Sequence, residues 1–316
     1  MTDGYTVSSG KTAAQVAVIV LNYNGYDDTI ECVRSLEAMR YPNFSIIIVD
    51  NASPDGSGPK LQQAFPQHTV ILSERNGGYA AGNNIGVRCA LEENADYVLI
   101  INNDATVTPD LLDHLVDYAE RHPEAGVLNA RVYFPGTTEL FSAAGRFNKL
   151  LCTGQNKGAV SIDQKETNEL KETDYACGVL LLVRASVFRD VGLMDERYFM
   201  YFEDQEFSQR VLTKFKIVYI PEAVAYHKSG GGKGWKNYTE LYLYYHTRNR
   251  FWVFEHASPL YKLYVALFTT VNSIAKTILM LQNMGEPGSK AVRQLKALWR
   301  GWRDGIIVFI RRNNAS

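Results

Sequence analysis

Apolar residues gather along this chain in short unbroken runs separated by polar turns. Residues 16–21 (VAVIVL), 45–49 (SIIIV) and 97–101 (YVLII) show no polar alternation, the pattern of strands covered on both faces of a parallel sheet. Residues 70–72 form a shorter run of the same kind. Between the runs, apolar positions recur at helical spacing: Ile30, Val33, Leu36 and Met39 first, then across residues 83–91 and 111–118. Strand and helix alternate four times, which predicts an α/β fold with a mostly parallel central sheet flanked by helices. Ligands of such sheets bind beyond the carboxyl ends of the strands. Polar residues collect there: Asn22 and Asn24 after the first run, Asp50 after the second, and Asn102, Asn103 and Asp104 after the last.

Further along, residues 131–174 are mixed and read as an extended hairpin or an acceptor loop. Strand-like runs are expected at 176–183 and 217–220, and a helix at 206–214. Beyond residue 257 the character changes. A helix over 260–281 sets Lys262, Thr269, Ser273 and Lys276 against Leu263, Leu267, Val271, Ile274, Ile278 and Leu281. A last helix sets Arg293, Lys296, Arg300 and Arg303 against Leu295, Leu298, Trp302, Ile306 and Phe309. Two readings stand for these basic amphipathic helices: they lie in an anionic membrane interface, or they pack on the rest of the protein. The division expected is a flexible start (1–15), a main domain (16–257) and a basic, amphipathic helical extension (258–316).

The 316 residues carry a formal charge of -1, which gives no reason to expect nucleic acid as a partner. From residue 262 onward, nine basic side chains face only Glu286 and Asp304, so an anionic partner is plausible there. Four scattered cysteines without metal spacing suit a reducing compartment. The first fifteen residues lack an apolar leader, and no apolar run reaches membrane-spanning length. A cytoplasmic location is expected, peripheral at the inner membrane face if the extension binds lipid.

Three places carry candidate chemistry. Asp104 ends an apolar strand, and Thr108-Pro109-Asp110 supplies a separate cap for the next helix. Asp104 is thereby free to hold a hard cation. His227 precedes a glycine-rich basic stretch, Lys228 to Gly234, which reads either as a lid over a diphosphate or as a plain loop. That stretch matches neither common nucleotide-binding fingerprint. Glu203 and Asp204 follow an aromatic run (Tyr198, Phe199, Tyr201, Phe202). They are either ordinary acids at a helix start or carboxylates made more basic by an apolar wall.

These segments, in this order, resemble family 2 glycosyltransferases: VAVIVLNYNG, IIIVDNASPDGS, ERNGGYAAGNNIG, LIINNDATVTPDLL, then ACGVLLLVRASVFRDVGLMDERYFMYFEDQEFSQRV and YIPEAVAYHKSGG. The resemblance spans roughly residues 16–255. It implies a GT-A fold, a nucleotide-sugar donor, Mg²⁺ or Mn²⁺ as cofactor, and inversion at the anomeric carbon. On the family's pattern, Asp104 and His227 are metal ligands, although Asn102-Asn103-Asp104 retains only the last acid of the usual motif. Asp204 matches the general base, with Glu203 as the adjacent alternative. Asp50 matches the nucleoside contact; Asn76 and Gly77 fall in the donor loop, and Asn22, Asn24, Asn102, Asn103 and Lys228 complete the expected donor-binding set. The resemblance extends to bacterial rhamnosyltransferases of cell-surface polysaccharide synthesis. It implies dTDP-L-rhamnose as donor and a saccharide or lipid-linked saccharide as acceptor. The rival expectations are a non-catalytic subunit of a polysaccharide assembly complex and a sugar nucleotidyltransferase.

Overall fold

The computed structural model describes residues 12–156, 168–228, 238–282 and 290–311. Its first half builds β1 (Val16–Asn22), α1 (Tyr26–Glu37), β2 (Phe44–Asp50), α2 (Ser57–Ala64), β3 (Thr69–Leu72), α3 (Gly78–Glu92) and β4 (Tyr97–Asn102). Strands β3, β2, β1 and β4 lie side by side and parallel. Their apolar runs are unbroken because both faces are covered. Val16, Val18 and Val20 pack with Cys32, Val33 and Leu36 of α1 on one side, while Ala17 and Ile19 pack with Ala80 and Val87 of α3 on the other.

The chain continues through β5 (Ala105–Val107), α4 (Leu111–Arg121), β6 (Ala125–Tyr133), β7 (Leu140–Ser142), β8 (Gly145–Asn148), β9 (Thr153–Asn156), β10 (Lys171–Thr173), β11 (Leu180–Arg184) and α5 (Ala185–Val191). There follow α6 (Glu203–Val211), β12 (Lys216–His227), α7 (Glu240–Trp252), α8 (Pro259–Leu281) and α9 (Ala291–Arg311). The sheet order is β10-β12-β6-β11-β4-β1-β2-β3. Strand β11 enters antiparallel between β4 and β6, so the parallel block ends at β4 and the sheet is mixed beyond it. Strands β8 and β9 form a separate hairpin within residues 131–174, one of the two readings that stretch allows.

Several boundaries differ from the sequence expectation. Strand β11 begins at Leu180 because residues 176–179 form the turn that leads to it. Helix α6 starts at Glu203, earlier than the spacing predicts, since Phe202 takes a left-handed N-cap conformation (φ 72°). Helix α4 is preceded by Asp110 rather than Thr108; the Thr108 hydroxyl instead donates to the Val224 carbonyl (3.2 Å). Asp104 still takes no cap role, for it lies in the turn between β4 and β5.

Helix α8 shows the two unlike faces that its pattern predicts. Its polar side faces inward: Thr269 and Ser273 are buried, and Trp299 and Trp302 of α9 donate to Thr277 (3.0 Å) and Thr270 (2.9 Å). The apolar side faces out, with Leu263, Leu267, Val271, Ile274, Ile278 and Leu281 all about half exposed or more. Helix α9 packs closely on α7, where Gly301 and Gly305 leave no room for a Cβ against Tyr244 and Phe251.

Candidate active site

Three polar clusters meet beyond the carboxyl end of the parallel block. The first joins β1 and β2, whose register pairs Asn22 with Asp50. The buried Asn22 carboxamide donates to Asp50 (2.6 Å) and Ser57 (2.8 Å), and accepts from Gly25 N–H (3.1 Å) and the Thr29 hydroxyl (3.0 Å). It is fully satisfied within the protein and so fixes the Asp50 carboxylate, whose second oxygen accepts from Ser53 N–H (3.0 Å). A Cβ on Gly58 would stand 2.7 Å from that carboxylate, so glycine makes the space it occupies. Asn24 sits beside it in a left-handed conformation (φ 56°), its N–H donating to Ser53.

Asn51, which sequence reasoning did not single out, organises the loop of Asn76, Gly77 and Gly78. Its amide donates to the Asn76 side chain and the Gly78 carbonyl (both 3.0 Å), and its oxygen accepts from Gly77 N–H (3.1 Å). Gly78 has φ +84°, and a Cβ there would lie 2.1 Å from the Phe199 carbonyl oxygen. The loop thus reaches the aromatic segment directly, and Tyr79 N–H donates to that carbonyl (2.5 Å).

The second cluster lies where β4 meets β12. His227 is buried, and its Nε2 stands 3.0 Å from Asp104 Oδ1 and 3.3 Å from the Asn102 amide nitrogen. Burial works to raise the Asp104 carboxyl, but the His227 hydrogen bond and charge outweigh it and hold the carboxyl below its ordinary value. Asn102 Oδ1 is buried without a partner. A half-turn of that amide brings its oxygen to the point where Asp104 and His227 converge. Two oxygens and an imidazole nitrogen are a donor set that accepts Mg²⁺ or Mn²⁺. A cation held here would have few protein ligands and would leave positions for water and phosphate oxygens, as is usual for Mg²⁺. Among the described residues, no group of three His, Cys, Asp or Glu side chains gathers to form a complete cage.

The third cluster holds the two carboxylates that open α6. Asp204 Oδ2 accepts from the Tyr175 hydroxyl (2.6 Å) and Gly178 N–H (3.1 Å), and Oδ1 from Gln205 N–H (2.8 Å). Burial raises its carboxyl, against the pull of these donors. Glu203 is more deeply buried, with Oε2 unpartnered; burial first and Asp204 second push its carboxyl well above the ordinary range. Glu203 is thus the carboxyl that burial disfavours more strongly as an anion, whereas Asp204 keeps a partly exposed surface.

The segment before them is strained. Phe199 (φ 62°, ψ −58°) is the centre of a γ-turn of the rare hand, closed by Met200 N–H to the Tyr198 carbonyl (2.7 Å). Tyr201 and Phe202 also have positive φ (67° and 72°). Such backbone persists only where its surroundings hold it. Here α7 does so: Asn249 Nδ2 lies 2.7–3.0 Å from the carbonyl oxygens of Tyr198, Met200 and Tyr201, and Arg248 donates to Arg197 and Tyr198. Neither residue carries a sequence signal beyond being polar on an aromatic helix.

The remaining candidates are spent locally. Asn103 donates to the Thr29 hydroxyl (3.0 Å) on α1, and the Lys228 ammonium pairs with Asp28 (2.5 Å) and Glu31 (2.7 Å). The glycine-rich stretch after Lys228 lies outside the described residues. Tyr79 closes the arrangement: its hydroxyl donates to the Gly178 carbonyl, linking the loop of Asn76, Gly77 and Gly78 to the turn that holds Asp204.

With this geometry in place, the chain belongs to glycosyl transferase family 2: the family model of that description matches residues 17–192. Among curated proteins it is 28% identical, over 67% of this chain and 76% of the relative, to an N-acetylglucosaminyl-diphospho-decaprenol L-rhamnosyltransferase of Mycobacterium tuberculosis. It is 22% identical, over 75% of this chain and 79% of the relative, to a dTDP-rhamnosyl transferase of Shigella flexneri. Among solved structures it superposes on a mannosyltransferase of Pyrobaculum calidifontis, in complex with GDP-Man and Mn²⁺, with TM-score 0.57 and 15% identity, covering 96% of this chain and 87% of that one. The fold is GT-A, and the protein is a glycosyltransferase.

Proposed function

We propose that this enzyme moves L-rhamnose from a dTDP donor, with inversion and with Mg²⁺ or Mn²⁺, to a lipid-linked saccharide at an anionic membrane surface. The observation that carries the chemistry is the division of carboxylates. Asp104 is favoured as an anion beside His227, Asp204 is partly exposed with its carboxyl raised, and Glu203 is buried with Oε2 unpartnered and its carboxyl raised well above the ordinary range. A double displacement needs a second anionic carboxylate as nucleophile beside the base. One available base facing the acceptor suits a single in-line displacement, hence inversion.

Asp204 takes the proton from the acceptor hydroxyl as it attacks the anomeric carbon. Tyr175 and Gly178 hold Oδ2 in place, so the carboxylate is oriented before the acceptor arrives. Asp50, fixed by Asn22, is placed to meet the nucleoside, and the loop organised by Asn51 lies beside it. Asp104, His227 and Asn102 would hold the cation, whose chemistry when bound is to neutralise charge on the leaving diphosphate. The donor sugar rests on the similarity to the two rhamnosyltransferases.

The surface of α8 and α9 supports the membrane reading. The two helices are antiparallel, since Thr277 meets Trp299 and Thr270 meets Trp302. A residue following a contact position is turned by about 100°, and in an antiparallel pair that turn leads to the same side on both helices. Val271 and Ile278 follow the contacts on α8; Arg300 and Arg303 follow them on α9. An uncharged apolar stripe, one helix long, is thereby bordered by exposed cations. A lipid surface with anionic head groups complements both features. Among the described residues α8 alone is long and apolar enough to cross a membrane, but its inward polar face and charged neighbour favour lying in the interface.

The test is a panel of sugar nucleotides incubated with the purified protein and Mg²⁺ or Mn²⁺, following nucleoside diphosphate release. Release from dTDP-L-rhamnose that stops with EDTA supports the reading. Release from a different donor replaces the sugar, and silence across the panel with no donor binding would favour a non-catalytic subunit.

A further inference from the structure

Behind the aromatic wall that precedes Glu203, an arginine, a lysine and a histidine lie together with no carboxylate partner among the described residues. His246 and Arg250 lie one turn apart on α7, and Lys276 approaches from α8. The His246 ring packs on Phe202 (5.0 Å) and Tyr242 (4.7 Å). The Arg250 guanidinium lies over Phe202 (5.9 Å) and Phe268 (5.5 Å), and the Lys276 ammonium over Tyr238 (5.5 Å) and Tyr242 (5.9 Å). Arg250 is only 5% exposed, and its Nε has no hydrogen-bond partner. His246 Nδ1 and the Thr269 hydroxyl are buried and unpartnered too.

Arg250 disfavours the charged form of both its neighbours. Burial, with Arg250 beside it, pulls the Lys276 ammonium down to about 8. Burial and then Arg250 and Lys276 push His246 well below its ordinary range. Among the described residues no carboxylate pairs with any of the three. The aromatic rings offset part of the cost, but they offer Arg250 Nε no acceptor. A buried guanidinium without a counter-ion is expensive, and its retention calls for an anion that arrives. His246 and Lys276 remain partly exposed, so the cluster is open on their side.

We propose that His246, Arg250 and Lys276 form a binding site for a phosphate or diphosphate group, and that the group is carried by the acceptor. The second part rests on the lipid-linked acceptor proposed above. The cluster adjoins the segment that leads into Glu203 and Asp204, while α8 carries the apolar stripe on its opposite side. A saccharide attached through a diphosphate to a lipid would place its charge here and its sugar toward Asp204. Arginine and lysine together suit the phosphate oxygens.

The experiment is calorimetric titration of the full chain in EDTA, which disables the Asp104 cation site, with inorganic pyrophosphate and with a short prenyl diphosphate in detergent. Binding of either, weakened roughly tenfold or more in Lys276→Met and Arg250→Met, is the expected result. Tighter binding of the prenyl compound identifies a lipid-borne group; equal binding identifies a soluble phosphate source and overturns the acceptor assignment. Arg250→Met also tests the cost: without anion its Tm should rise above the wild type. A fall in Tm together with unchanged binding would make Arg250 a structural cation and overturn the site, as would no binding by the wild type. Donor hydrolysis without acceptor separates this proposal from the function it rests on. If hydrolysis occurs and no diphosphate binds, only the site fails; if neither occurs, the transferase reading fails as well.

Discussion

The Tyr175 hydroxyl donates to Asp204 Oδ2 at 2.6 Å, the same oxygen that accepts from Gly178 N–H. Two donors on one carboxylate oxygen favour the charged form and oppose the burial that raises it. Tyr175→Phe removes one donor and should raise the Asp204 carboxyl further. A base works deprotonated, so the acidic limb of the kcat/KM profile should move to higher pH, by about one unit. An unmoved limb would show that Asp204 is not the group titrating.

Glu203 gives a stability prediction of definite sign. Its carboxyl is raised in the fold. Above the ordinary glutamate range the unfolded chain has lost a proton that the folded chain keeps, so stability falls as pH rises toward the folded value. Glu203→Gln removes that penalty. Its Tm should exceed the wild type increasingly as pH rises above the ordinary glutamate range, with transfer retained within a few-fold. Loss of transfer comparable to that of an Asp204 variant would make Glu203 the base.

Asn249 holds the strained turn from α7 through three carbonyls. Asn249→Ala should cost about 2 kcal/mol of stability, as several hydrogen bonds to an ordered backbone are lost together. Because the turn leads into Asp204, kcat should fall while the donor KM stays close to wild type. Steady-state kinetics beside thermal melts would check both; a change confined to donor KM would contradict the positioning role.

The apolar stripe of α8 predicts vesicle binding. Leu267→Glu with Ile274→Glu should abolish flotation on vesicles containing anionic lipid, and Arg300→Gln with Arg303→Gln should weaken it and reduce its salt dependence. Flotation unaffected by all four substitutions would remove the membrane reading.

The parallel block and its polar strand ends were legible because both follow from local pattern. Uninterrupted apolar runs require two covered faces, and Asn22, Asp50 and Asp104 stand where such runs stop. Asn51 stands next to Asp50, yet its role depends on a loop 25 residues away. Tyr175, Gly178, Arg248 and Asn249 act across 26 to 51 residues, and nothing near them in the chain marks the partner. The α8 pattern was readable as two unlike faces. Which of them the protein would cover was not, because amphipathicity alone is symmetric between packing inward and facing lipid.

Asp204→Asn tests the central claim most directly, since it removes the base and leaves the shape of the site. With donor, metal and acceptor supplied, sugar transfer should fall on the order of 10³-fold, while calorimetric donor binding stays near wild type. Near-normal transfer by Asp204→Asn would contradict the account, since the proton would then leave by another route.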